Sequence, residues 1–141
     1  MDIKFSLDEL SNIPIYQQIT EYFEKAILTG ELKRGEYLPS IREFSMKNLV
    51  NPNTVAKAYQ ILQVRNLVEP MRGLGLKVMT VNRAFSERRK EEILNSSIDA
   101  LIETGMSLQI SKENLLKAVA GRVKLHGYQV VGEVHKKQGA T

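Results

Sequence analysis

Two helix-start signals stand so close together in this chain that only about eight helical residues fit between them. In Ser40-Ile41-Arg42-Glu43 a hydroxyl and a carboxylate have the spacing of a capping box, in which each side chain satisfies an orphan backbone N–H at a helix start. At Asn51-Pro52 the signal repeats, with Asn as N-cap and Pro at the first helical position, where its missing N–H costs nothing. A helix starting at Ile41 must therefore stop, turn and give way to another starting at Pro52. Along the second, Val55, Ala58, Tyr59 and Leu62 form one apolar stripe, which leaves Asn53, Thr54 and Lys57 on or near the other face. Two short helices joined by a tight turn make a helix-turn-helix.

The flanking segments fit that unit. Upstream, Ile15, Ile19, Tyr22, Phe23, Ala26 and Ile27 recur at helical spacing, predicting a helix from Pro14 to about Thr29 that Gly30 ends and Asn12 caps. Phe5, Leu7 and Leu10 ahead of it read as an arm that packs on the domain, and Lys33 to Pro39 reads as a loop with at most a brief strand. Downstream the period changes to that of strands. Leu67-Val68-Glu69 and Leu76 to Val81 flank Arg72-Gly73-Leu74-Gly75, which predicts a hairpin placed as a wing, with Arg72 at its tip and Lys77 further along.

Beyond the wing, Phe85, Leu94, Ile98, Leu101 and Ile102 predict an amphipathic helix from Arg83 to about Glu103, ended by Gly105. Ser111 reads as the N-cap of a further helix reaching about His126, with Ile110 and Leu115 in staple positions. The tail from Gly127, with Val130, Val131 and Val134, fits either a short strand or a frayed end. The expected fold is mainly α with a small β-hairpin wing: a winged helix-turn-helix over 1–81, then a helical segment over 82–141 that makes a dimer. The last two helices display more apolar face than a two-helix hairpin hides within itself, so a second copy is expected to cover the rest.

Charge distribution points to a partner. The net charge is only +4, but residues 33–80 hold eight Lys and Arg against three Glu, whereas residues 1–32 hold two Lys against six acids. A basic block of this kind suits a face that meets phosphates. No cysteine is present, which excludes disulfides, thiolate catalysis and Cys-ligated zinc. His126 and His135 lack acidic partners at ligand spacing and read as ordinary surface histidines. No nucleophile elbow, P-loop or dinucleotide fingerprint occurs, and no run of 18 apolar residues. The expectation is a cytoplasmic, non-enzymatic protein without metal or cofactor. Double-stranded DNA is the expected partner: backbone N–H groups at the two capped helix starts attract phosphate, and Ser40, Asn51 and Thr54 add side-chain donors. Lys57 reads equally as a major-groove contact or a solvated lysine.

Pro14-Ile15-Tyr16-Gln17-Gln18-Ile19, Gly30-Glu31-Leu32, Leu38-Pro39-Ser40-Ile41-Arg42-Glu43, Asn51-Pro52-Asn53-Thr54-Val55 and Arg72-Gly73-x-Gly75 together resemble the GntR family of bacterial regulators over about Ile13 to Val78. The resemblance implies a three-helix winged domain that binds an operator as a dimer, usually as a repressor. It implies that Arg42 contacts DNA, its guanidinium fork suiting phosphate or a guanine edge, against the plainer reading of a salt bridge to a nearby Glu. It also places Arg72 and Gly73 at a wing tip that approaches DNA. Ala56 stands where many members carry a basic residue, and Asn53 partly replaces it. The short tail resembles the YtrA-type subfamily, often encoded beside membrane-transporter genes. No residue pattern identifies an effector, and a wing with three short helices is expected to enclose too little volume for a metabolite. Two other classes compete: a winged-helix protein-interaction module and an architectural protein that binds DNA without sequence preference.

Overall fold

The computed structural model describes residues 3–130. In chain order its elements are α1 (Ile15–Leu28), α2 (Ile41–Asn48), α3 (Pro52–Val64), β1 (Val68–Met71), β2 (Gly75–Val78), α4 (Arg83–Ser107) and α5 (Lys112–Leu125). This is the helical architecture with a hairpin wing that the sequence predicts. The chain divides between Lys90 and Glu91 into two compact units, a division that falls inside α4 rather than at 81/82.

In the first unit, Ile19, Phe23 and Ile27 of α1 pack with Phe44 of α2 and with Val55, Ala58, Tyr59 and Leu62 of α3 in one buried cluster. Full burial of a side chain of this size contributes about 1.5–3 kcal/mol. The ring of Phe23 sits 5.5 Å from that of Phe44 and 5.6 Å from that of Tyr59, so the aromatics lock the three helices together. The arm packs through Phe5, whose ring lies 5.5 Å from Tyr22 and 5.3 Å from Phe44, whereas Leu10 is fully exposed.

Pro14 is the N-cap of α1, without a side-chain cap bond, so Asn12 does not hold that position. The residue before a proline is driven out of helical geometry, so the helix cannot start ahead of Ile13-Pro14. Gln18 fastens the approach instead, its Nε2 donating to the carbonyls of Asp8 and Ile13 at 3.0 and 2.9 Å.

β1 and β2 pair antiparallel from Val68 opposite Val78 to Met71 opposite Gly75. The segment expected to be mostly loop adds a third strand-like edge: Leu38 N–H donates to Leu76 O, and Val78 N–H to Glu36 O, at 2.9 and 2.8 Å. At the tip Leu74 N–H closes a turn on Met71 O at 2.9 Å. That turn needs Gly73 at φ +75°, a region costly for residues with a Cβ.

In the second unit, Ser111 Oγ accepts from Asn114 N–H at 3.2 Å and caps α5 as expected. Gly105 does not end α4. It lies two residues inside the helix, and a Cβ there would stand 3.3 Å from both δ-carbons of Leu115, so glycine serves close approach of α5. The helix turns off at Gln109, which takes the left-handed conformation at φ +55°. Among the described residues α5 buries none of its own and α4 buries only Gly105. No strand forms up to Val130, and Val131, Val134 and His135 lie outside the described residues.

Candidate nucleic-acid interface

The helix starts at α2 and α3 are capped as read, but their backbone donors differ. At α3, Asn51 Oδ1 accepts from Asn53 N–H at 2.8 Å, while Thr54 and Val55 N–H both donate to Asn51 O at 3.0 and 3.2 Å. Pro52 has no N–H. The expected free donors at this helix start are therefore used up within the chain. At α2, Ser40 Oγ accepts from Glu43 N–H at 3.1 Å, and Phe44 N–H donates to Ser40 O at 3.0 Å. Among the described residues the N–H groups of Ile41 and Arg42 donate to nothing. The anion-attracting helix end is thus that of α2. Only half of the capping box forms, since no bond from Ser40 N–H reaches the Glu43 carboxylate.

Side chains complete the surface. Burial of Val55, Ala58, Tyr59 and Leu62 fixes the rotation of α3, which leaves Asn53 and Lys57 exposed and Thr54 half-buried. Lys57 is neither plainly solvated nor free: its Nζ sits 3.8 Å from the centroid of the Tyr16 ring on α1. Tyr16 is half-buried, and a cation over a ring at the surface gains about 0.5–1 kcal/mol, enough to pre-set this side chain. Arg42 and Arg72 are exposed and form no ion pair with any described residue, so the salt bridge weighed for Arg42 is not made. Lys77, by contrast, pairs with Glu69 across the hairpin at 3.4 Å. Ser40 and Asn51 spend an oxygen on capping, and Gly73 leaves open space around the wing tip.

Tyr59 joins the core to the start of α2. Its hydroxyl donates to Pro39 O at 2.8 Å, and burial together with the charge of Glu43 pushes its pKa well above the ordinary tyrosine range. Beside it lies a cleft of about 390 Å³, lined by Ile3, Tyr37, Leu38, Pro39, Glu43, Phe44 and Lys47. The first unit thus has more concave volume than expected, because the arm and the 36–38 edge stand out over α2.

One constellation escaped the sequence reading. Glu24 of α1 is buried, and its carboxylate accepts from Arg65 Nη1 at the end of α3 and from Arg89 Nε on α4. The available signal was an acidic residue on the same helical face as Thr20 and Leu28, both buried. Its partners lie 41 and 65 residues away.

No described group of His, Asp and Glu could hold a metal ion, and no described helix is long and apolar enough to cross a membrane. The profile for bacterial regulatory proteins of the gntR family matches residues 15–78. The HTH-type transcriptional repressor YtrA of Bacillus subtilis (strain 168) is 31% identical over 121 residues, 84% of this chain and 93% of that protein. A GntR family transcriptional regulator from Listeria monocytogenes superposes with a TM-score of 0.67 at 30% identity, over 82% of this chain and 98% of the other. A protein of Listeria monocytogenes EGD-e described as a transcriptional antiterminator superposes with a TM-score of 0.66 at 29% identity, over 93% and 98% of the two chains.

Proposed function

The chain belongs to the gntR family of bacterial regulatory proteins, and from that premise we propose that it represses transcription by binding a palindromic operator as a homodimer in the cytoplasm. The observation that carries the reading is α3: its apolar stripe is buried, while Asn53 and Lys57 stand exposed near its N-terminal end. In this reading α3 enters the major groove, where Asn53, Thr54 and Lys57 read base edges. Arg42, Ser40 and the open N–H groups of α2 hold phosphate, Asn51 sets the entry of α3, and Arg72 with Gly73 brings the wing to the backbone.

The second copy is proposed to cover the C-terminal helices. Leu94, Ile98, Leu101, Leu116, Val119 and Val123 are all exposed, and helices that bury no side chains of their own gain stability by association. The YtrA-type resemblance extends the proposal to control of membrane-transporter genes.

A competition assay at fixed salt tests this reading, with duplexes selected from a random pool set against bulk DNA. Preference for selected duplexes supports it. Equal binding to all duplexes would make the protein architectural, and no binding at all would leave an interaction module. An RNA hairpin in the same assay covers the antiterminator neighbour: tighter binding to RNA would overturn the DNA reading.

A further inference from the structure

A buried carboxylate persists in a protein only where charge and hydrogen bonds compensate its lost hydration. Glu24 is 1% exposed, and both of its oxygens are engaged by guanidinium groups, from residues 41 and 65 positions further along the chain. The two arginines occupy informative positions. Arg65 is the C-cap of α3, where its own N–H also donates to Ile61 O at 3.0 Å. Arg89 lies in the second turn of α4, whose start is fastened by Asn82 Oδ1 accepting from Ala84 N–H at 2.8 Å. The far end of the proposed recognition helix and the helix that leaves the winged unit thus share one anion. Apolar contacts tolerate sliding, whereas charge-assisted bonds to a guanidinium fork are directional.

We propose that Glu24, Arg65 and Arg89 are positioning residues that fasten the first two turns of α4 to the far end of the recognition helix within the winged unit, and so set the spacing of operator half-sites that a dimer accepts. The inference rests on the operator reading above. One base pair added between half-sites shifts them by about 3.4 Å along the duplex and rotates them as well, so a rigid α4 start translates into sharp spacing preference. A loosened start lets each reading head swivel to meet a displaced half-site.

The test uses the full chain and a duplex selected from a random pool, together with versions carrying one or two base pairs more or fewer at the centre and a version with a single half-site. Wild-type protein should lose about tenfold or more in affinity when the centre changes. Arg89→Met keeps the Arg65 partner of Glu24. The triple variant Glu24→Leu, Arg65→Met, Arg89→Met removes all three charges, so no buried ion is left unpaired in case the single variant fails to fold. Both should bind the single half-site within twofold of wild type, while the penalty for altered spacing falls below about threefold. Arg89→Lys, which keeps the charge without the fork, should lie between. An unchanged spacing profile in the triple variant would overturn the proposal. So would equal losses on half-site and full site, which mark a merely structural triad. A wild-type protein that does not distinguish selected from random duplex would refute the operator reading itself.

Discussion

Leu49 holds the turn between α2 and α3 in the left-handed region, at φ +52° and ψ +45°, although it carries a Cβ and is 91% exposed. Nothing packs on the side chain to offset the strain. Replacement by glycine removes a cost of about 1–2 kcal/mol in the folded state and gives back part of it through a freer unfolded chain, so Leu49→Gly should gain about 0.5–1 kcal/mol. The urea midpoint should rise with an unchanged m-value, and a lower midpoint would contradict the account. Tyr59 gives the opposite case, a residue whose polar atom is needed. Tyr59→Phe leaves Pro39 O without its donor and should cost about 1 kcal/mol. Because the folded-state pKa is raised, the native protein holds this proton more tightly than the unfolded chain. The stability this contributes is complete below the unfolded tyrosine pKa and is lost as pH rises toward the folded one. Wild type should therefore lose stability through the alkaline range faster than Tyr59→Phe does, and identical pH profiles would contradict the assignment.

At the scale of elements, the starts of α2, α3 and α5 were legible, whereas the cap of α1 and the stop of α4 were not. Ser40, Asn51 and Ser111 announce their caps through side-chain oxygens that act within two or three residues. Gly105 lies at the end of an apolar stripe, where a stop and a close packing site look alike in sequence; only Leu115, contributed by another helix, tells them apart. The edge at residues 36–38 was legible only as a loop with at most a brief strand, since its bonds go to β2 about forty residues later, a long-range pairing that local propensity does not encode. Likewise Glu24 reads as one acid among many until Arg65 and Arg89 come together on it. Lys57 could be placed on the right helix, yet its rest position over Tyr16 depends on how α1 crosses α3. If Gly105 serves close packing, Gly105→Val should destabilise the protein by about 1–3 kcal/mol through crowding against Leu115. Thermal unfolding measures this, and a neutral result would return Gly105 to the role of a helix stop.

For the whole molecule, the proposal is that the winged unit reads DNA and that a second copy covers the exposed apolar residues of α4 and α5. Leu101→Glu combined with Val119→Glu should give a folded monomer by sedimentation, with weaker binding to a two-half-site duplex and unchanged binding to one half-site. A dimer that survives both charges would move the interface elsewhere. The central claim is narrower: α3 reads bases while α2 and the wing hold the backbone. Its most direct test is a titration of the full chain, with Asn53→Ala, Lys57→Ala, Arg42→Ala and Arg72→Ala, against a selected and a random duplex over a salt series. Loss of Asn53 or Lys57 should cost about 1–3 kcal/mol on the selected duplex and little on the random one. Loss of Arg42 or Arg72 should weaken both duplexes alike and make the slope of log K against log salt shallower by about one unit each. If Asn53→Ala and Lys57→Ala leave the preference intact while either arginine variant abolishes it, base reading belongs to α2 or the wing, and the account is contradicted.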